Sequence, residues 1–258
     1  MAFIFELSVY VSFLTFAILG LCVYSVGYLA LHILSHHAKN DILSVPIGAF
    51  VSTIATAWAL SLGFVAADIW TANSKADQAT SDERSSIYRL IGAASPEILN
   101  APQLTATLIE YRQAVVKDEW LENSNIEPAH SVEAALQNIR REIVDLAKTN
   151  IPTPIISQLV HDFDELQDAR NTRLSVGATS VDMYKWYLLI ALTVLTAITI
   201  ASTHADRARA GIKALIIYSI TASFSLWILA IHANPYQGIE RLEPSQLFTS
   251  QKHEQSTL

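Results

Sequence analysis

The second long apolar stretch of the chain carries side chains suited to lining a polar path. Five hydroxyl side chains lie in a run of 26 residues that has no charge, four of them between residues 52 and 61, and a carboxylate follows the run directly. Polar atoms that line a pore can replace part of an ion's hydration shell, and ionisable groups in or near apolar spans often mark pathways. The pore-lining candidates are therefore Ser52, Thr53, Thr56, Ser61 and Asp68. The plainer alternative to a pore-lining role is that Asp68 lies at the membrane boundary and pairs with a residue such as Lys185 or Arg173.

The same stretch repeats small residues every four positions. Small side chains allow the backbones of neighbouring membrane helices to approach closely. We therefore interpret Gly48, Ala55, Ala59 and Gly63 as helix-packing positions. Packing and pore lining are compatible if the same stretch from several subunits surrounds a central axis.

Two histidines provide the candidates for a metal site. His32 and His36 are four residues apart, so a helix would place both on one face, with Asp41 nearby in the chain. Zn²⁺ would need a further ligand and a fixed geometry. Histidines at the level of the lipid headgroups, without metal, are the favoured interpretation, and no metal site is predicted.

Catalytic motifs do not occur in the sequence. The eight glycines form neither G-x-G-x-x-G nor G-x-x-x-x-G-K, and H-E-x-x-H and G-x-S-x-G are missing as well. We therefore predict no enzymatic activity and no cofactor. The formal net charge of −7 argues against non-specific binding of nucleic acid.

The elements that position the hydroxyl stretch follow from the distribution of charge. Runs of 25, 26, 18 and 18 residues without charge are found in a chain that is 51% hydrophobic. A helix that crosses the hydrocarbon core needs about 20 mostly apolar residues. The prediction is an all-α integral membrane protein of the cell (inner) membrane, with four transmembrane helices in contact with the lipid bilayer. The charge-free runs are 7–31, 42–67, 186–203 and 214–231.

The charged residues concentrate between the second and third spans. Residues 68–185 hold 18 of the 24 acidic and 11 of the 17 basic side chains, which gives this segment the whole net charge of −7. Apolar residues at three- and four-residue spacing predict helices here, with long stalk helices that continue spans two and three. Salt bridges between the stalks are expected from Arg84, Arg89, Arg170 and Arg173. A further helix is expected after Asn100, as its N-cap, and is expected to continue to Trp120.

This division predicts four parts of the chain. Residues 1–71 hold transmembrane helices 1 and 2, and residues 72–183 form an acidic helical aqueous domain. Residues 184–236 hold transmembrane helices 3 and 4, and residues 237–258 form a polar tail that frays from Ser245 onward. Lys and Arg collect in cytoplasmic loops. The two short loops between spans carry basic residues near the membrane ends, which favours a cytoplasmic location for these loops. The aqueous domain of residues 72–183 is then expected on the opposite, outer side.

Several short motifs carry a family resemblance. The segment Asp68-Ile69-Trp70 and its continuation Glu83-Arg84-Ser85-Ser86-Ile87-Tyr88-Arg89 are similar to the bacterial bestrophin-like domain family. So are Leu166-Gln167-Asp168-Ala169-Arg170-Asn171-Thr172-Arg173-Leu174 and the closing Asn234-Pro235-Tyr236-Gln237-Gly238. The matches cover most of the chain in the family's order.

The resemblance implies a homo-oligomeric channel for inorganic anions, since bestrophins are homopentameric anion channels with four spans per subunit. It also implies a cytosolic location for the region between spans two and three, against the charge count. The aromatic-rich neck of bestrophins is not matched, because only Phe50, Trp58 and Phe64 are aromatic between residues 46 and 64. The alternative is a membrane-anchored sensor or interaction protein whose acidic domain binds a partner.

Overall fold

Every regular element in the described part of the chain is helical. The computed structural model describes residues 9–38, 46, 48–178, 183–237 and 241–248. A π-helical segment, Val115–Glu122, follows the third α-helix directly, and a 3₁₀ turn spans Pro244–Leu247. The described residues form seven α-helices, which are α1 Val9–Ala38, α2 Gly48–Ala93, α3 Pro102–Ala114, α4 His130–Ala147, α5 Thr153–Ala178, α6 Met183–Thr203 and α7 Ala208–Ile231. The predicted all-α class is confirmed.

Four of the described helical segments are long and apolar enough to cross a membrane. They are Val9–His36, Gly48–Ala93, the run Thr153–Thr203 and Ala208–Ile231. Helix α2 has 46 residues and is apolar only in its first half. The predicted continuation of the second span into a polar helix is therefore confirmed. The link from α5 to α6 lies outside the described residues.

The chain divides into two compact units. The first comprises Met1–Thr71, Val181–Asn234 and Gly238–Glu240. The second comprises Ala72–Ser180, Pro235–Gln237 and Arg241–Leu258. Helix α2 is shared between them, because its first half belongs to the first unit and its second half to the second.

Helices α1, α6 and α7 pack together in the first unit. A buried cluster joins Val23 and Leu31 of α1 to Ala197 of α6 and Leu215 of α7. The seam between α1 and α7 is close, since a Cβ built on Gly27 would lie 2.7 Å from a Leu215 methyl carbon. The threonine face of α6 is buried in this bundle, and its hydroxyls donate to carbonyls four residues back. These residues are Thr193, Thr196, Thr199 and Thr203.

Helix α2 touches the rest of the first unit along one narrow face. Val65 and Ile69 are buried with Trp186 and Leu226 in a second cluster. The indole Nε1 of Trp58 donates to the Thr193 hydroxyl at 2.9 Å. The remaining surface of α2 in this unit is half-buried or exposed. Of the four apolar segments in the described part of the chain, α2 is thus the least covered.

The second unit has its own core, built from α2 to α5. Leu108 of α3, Ile139 of α4 and Leu166 of α5 are fully buried in it. The segment after the last apolar helix contributes Tyr236 and Leu247, which are also buried. The expectation that the tail frays from Ser245 is therefore wrong for residues 245–248. Leu247 is buried in the core, and the Arg84 guanidinium and the Tyr88 hydroxyl donate to the backbone carbonyls of Gln246 and Phe248 at 3.2 and 2.9 Å.

Two local predictions in the second unit are wrong. Asn100 is not an N-cap, because it adopts the left-handed conformation with φ 49° and α3 begins at Pro102 after Ala101. Asn tolerates this conformation better than most residues, so it serves as a turn. The π-helical segment that carries Trp120 was expected as ordinary α-helix.

Candidate functional site

Most of the predicted hydroxyl positions lie on the uncovered surface of α2. Ser52, Thr53 and Thr56 are exposed, whereas Ser61 is half-buried. Thr56 and Val65 are nine residues apart, which places them on opposite sides of a helix with 100° per residue. Since Val65 packs against the subunit, the face that carries Thr53 and Thr56 points away from it.

The small residues of α2 leave open space around the helix. A Cβ built on Gly48 or on Gly63 would meet no atom within 4 Å. Ala59 is exposed and Ala55 is half-buried. Close packing at the two glycines would therefore need a surface from outside the described part of this chain.

Asp68 forms an ion pair at the end of the apolar half of α2. Its Oδ2 atom lies 2.5 Å from the Nζ atom of Lys185, which is near the start of α6. Both side chains are about half exposed. Of the two partners considered for Asp68, the structure selects Lys185. The carboxylate is thereby neutralised within the same unit.

The two histidines of α1 stand at its far end from the N-terminus. The rings of His32 and His36 pack edge to face with centroids 5.8 Å apart, and both side chains are exposed. Among the described residues, no group of three His, Cys, Asp or Glu side chains could hold a metal ion. Asp41 lies outside the described residues.

The second unit contains a buried network of charges centred on Arg173. This guanidinium is fully buried, and it donates from Nε to Glu83 Oε2 at 2.6 Å and from Nη2 to Glu119 Oε2 at 2.8 Å. Its Nη1 donates to the side-chain oxygen of Asn125. The guanidinium also lies 5.4 Å from the Trp120 ring centroid. Both carboxylates are fully buried, so Arg173 provides the charge that compensates them.

Further groups donate hydrogen bonds to the carboxylates of Glu83 and Glu119. Arg170 donates to Glu119 from Nη2 at 2.5 Å, and the backbone N–H of Ala129 donates to the same carboxylate at 3.1 Å. The Tyr111 hydroxyl donates to Glu83 at 2.6 Å. The network therefore ties α2, α3, the π-helical segment and α5 together. The Nδ2 atom of Asn125 is buried without a hydrogen-bond partner among the described residues, whereas both carboxylates accept several hydrogen bonds. The satisfied carboxylates indicate a structural role, because partly satisfied buried networks are costly.

Burial and charge shift the pKa values within this network. Burial by itself lowers the pKa of Arg173, but the charge and hydrogen bonds of Glu83 outweigh it and raise the pKa above its ordinary value. Burial raises the pKa of the Tyr111 hydroxyl well above 10, and the charge of Glu83 adds to the effect. Arg173 is therefore a permanent cation and Tyr111 a neutral donor.

The sequence reveals only part of this network. Salt bridges between the stalk helices are confirmed for Arg173 with Glu83, and for Arg89 with Asp162 at 2.8 Å. Glu119, Tyr111 and Asn125 were not predicted as partners. A signal did exist, because Glu83 occupies an apolar position in the three- and four-residue spacing of α2. A charge in such a register indicates a buried ion pair.

Solved structures share this arrangement of helices. One is a membrane protein with a single substitution, at TM-score 0.72 and 12% identity, covering 90% of this chain and 94% of the other. Another is a bacterial bestrophin homologue from Klebsiella pneumoniae, at TM-score 0.69 and 13% identity, covering 90% of this chain and 94% of the other. A further structure of that homologue gives TM-score 0.68 at 13% identity, covering 88% and 93%. The chain thus has the bestrophin fold.

A family model then identifies the chain itself. The bestrophin-like domain matches residues 15–247, which is most of the sequence. The chain belongs to the bestrophin-like family, and the predicted resemblance is confirmed. No curated protein matches it.

Proposed function

We propose that the protein is a homo-oligomeric anion channel in which α2 from several copies surrounds the conducting axis. The observation that carries the proposal is the uncovered state of α2. Only 6% of its most apolar 18 residues are buried, against 33% in α7. A helix with so few contacts in its own subunit, and with hydroxyls on the open side, is suited to contact water and neighbouring copies. Membership of the bestrophin-like family supports the same function.

The proposed membrane topology has four spans. Helices α1, α2, α6 and α7 cross the cell (inner) membrane in their apolar parts, and residues 72–183 form an aqueous domain between spans two and three. That domain holds the excess of acidic residues, whereas the membrane part has few charges. Charged side chains are costly at the centre of a bilayer, which favours this division.

The proposed pore surface is built from the open face of α2. Ser52, Thr53 and Thr56 supply hydroxyl groups toward the axis, and the hydroxyls of Ser52 and Thr53 also donate to carbonyls four residues back at 3.5 and 3.2 Å. Gly48 and Gly63 allow neighbouring copies to approach. Ser61 and Ala55 lie nearer the covered side, at the flank of this face.

The pore entrance carries no unpaired carboxylate at Asp68 that would attract cations. The carboxylate of Asp68 is engaged by Lys185 at the end of the apolar half of α2, so the pair carries no net charge. A free ring of carboxylates would instead attract cations. A hydroxyl can stabilise an anion only with its single O–H hydrogen. Ser52 and Thr53 would therefore have to release their carbonyl acceptors before they could donate to an anion, and Thr56 is the third hydroxyl on this face.

A flux assay tests the proposal. We expect full-length protein in liposomes to release chloride, and Thr56→Phe to reduce the initial rate to near the background of protein-free liposomes. A phenylalanine on the axis would narrow the pore and remove water from it. Thr56→Val, which keeps the shape and removes the hydroxyl, should reduce the rate less.

A matched control separates the pore from the lipid-facing surface. Ile217 of α7 is 67% exposed, and Ile217→Phe should leave the rate unchanged. The proposal is contradicted if well-folded oligomer shows no flux, or if both phenylalanine variants lower the rate equally. Absence of flux would favour the membrane-anchored interaction protein.

A further inference from the structure

An apolar groove follows the seam between α1 and α7 in the first unit. Its volume is about 360 Å³, and it is lined by Phe13, Ala17 and Tyr24 of α1 and by Ile216, Ile220 and Phe224 of α7. The floor is formed where Gly20 allows the two helices to approach at Ser223. The groove is open to the outside, on a surface of the first unit that carries exposed apolar side chains such as Leu21 and Ile217.

The two helices run antiparallel, so one end of the groove can be placed. A Cβ on Gly27 would contact Leu215, and a Cβ on Gly211 would contact Leu31. The start of α7 therefore lies beside the end of α1. This end of the seam leads to the short loop between α6 and α7.

Positive charge collects at that end on the same face as the groove. Along α7, Arg209, Lys213, Ile216 and Ile220 follow steps of three and four residues, which keeps them on one side of the helix. Arg209 and Lys213 are exposed, and neither forms an ion pair within the described part of the chain.

The dimensions of the groove match one leaflet of a bilayer. From Phe13 to Tyr24 it extends along α1 for about 16 Å at ~1.5 Å per residue. The hydrocarbon core is about 30 Å thick, so one leaflet contributes about 15 Å. An extended hydrocarbon chain in the groove would thus bring its anionic end to the level of Lys213.

We propose that this groove binds one anionic phospholipid per subunit, with an acyl chain along the apolar floor and the phosphate beside Arg209 and Lys213. The apolar lining excludes a polar ligand from the groove itself, and the two unpaired cations provide charge complementarity for the phosphate. The site is separate from the proposed pore face of α2, and the binding test does not depend on conduction.

Native mass spectrometry of the full-length protein can measure this binding. Phosphatidylglycerol and phosphatidylcholine are titrated in turn. We expect the protein to retain one phosphatidylglycerol molecule per subunit tightly and to bind phosphatidylcholine more weakly. Each basic residue near an anionic surface contributes about fivefold in affinity, which corresponds to ~1 kcal/mol. Lys213→Gln should therefore lower the affinity for phosphatidylglycerol about fivefold. The double variant Arg209→Gln, Lys213→Gln should lower it further. Ala17→Phe, which fills the groove, should weaken the binding of both lipids.

Matched controls are available in the same unit. Arg207 pairs with Asp206 at 3.1 Å, so Arg207→Gln removes a cation from the same loop without changing the site. Ala191 of α6 is exposed outside the groove, so Ala191→Phe adds a ring elsewhere. Both controls should retain phosphatidylglycerol like the wild type.

Several results would overturn the proposal. Equal retention of the two lipids by the wild type would exclude a headgroup site, and unchanged binding in Ala17→Phe would exclude the groove. A loss of oligomer in Lys213→Gln, without any lipid retained by the wild type, would show that this face contacts a second copy instead.

Discussion

Arg173→Met is expected to destabilise the second unit by about 3–5 kcal/mol, because it leaves two buried carboxylates without their shared cation. Glu83 would keep only the Tyr111 hydroxyl, and Glu119 would keep Arg170 and the backbone N–H of Ala129. The apparent midpoint of thermal unfolding in detergent should fall by at least about 10 °C. Tryptophan fluorescence can follow the transition, because Trp120 lies next to the guanidinium.

The control for this variant is another arginine-to-methionine change in the same unit. Arg140 is exposed and hydrogen-bonds only to Gln137 and Gln167 among the described side chains, so Arg140→Met should cost less than about 1 kcal/mol. Adding Glu83→Gln to Arg173→Met should restore part of the stability, since it removes one uncompensated charge. Equal midpoints for the two methionine variants would contradict the assignment of Arg173 as the centre of the network.

Gly177→Ala is the second substitution expected to have a large effect. Gly177 belongs to α5, and a Cβ built there would overlap the backbone carbonyl of Asn125, with 2.7 Å to its carbon atom. Backbone atoms cannot be moved by a change of rotamer, and Asn125 already has a left-handed φ of 57°. Its side chain also accepts a hydrogen bond from Arg173. The expected cost is about 3 kcal/mol, at the upper end of overpacking in protein cores.

Gly92→Ala provides the control for Gly177→Ala. Gly92 lies in α2 within the same unit, and a Cβ built there would meet no atom within 4 Å. Alanine is the better helix former, so this variant should unfold at the same temperature or slightly higher. The same thermal measurement compares the two variants. If Gly177→Ala unfolds at the same temperature as Gly92→Ala, the contact between α5 and the Asn125 loop does not constrain the fold.

The features predicted well from the sequence are those that one segment determines by itself. The charge-free runs and the helical spacing within α2 required no knowledge of partners, and α2 proved to be one continuous helix through Ala93. Lys185 was one of the two partners considered for Asp68, and each of these residues directly adjoins an apolar run. Family membership rested on motifs such as Asp68-Ile69-Trp70, which are short but occur in order.

The features that were missed depend on partners distant in the chain. Glu119 is buried in the π-helical segment, where its carboxylate accepts a hydrogen bond from Arg173. The local sequence does not predict the change from α-helical to π-helical pitch. Asn125 belongs to a turn whose conformation is fixed by Gly177, more than 50 residues later. The tail was expected to fray because it is polar, yet Leu247 is buried in the core and Arg112 lies over the ring of Phe248.

The central claim is that the open face of α2 contacts water inside the membrane, and thiol accessibility tests it most directly. In a background with Cys22→Ser, which removes the only cysteine, Thr56→Cys places a thiol on the proposed pore face and Ile217→Cys places one on the exposed surface of α7. A charged, membrane-impermeant thiosulfonate reacts with thiols in water and leaves those in lipid untouched. We expect it to modify Thr56→Cys in proteoliposomes and to suppress chloride flux, while Ile217→Cys stays unmodified. If the thiol at position 56 reacts no faster than the one at position 217, α2 faces lipid or protein and the proposed pore is wrong.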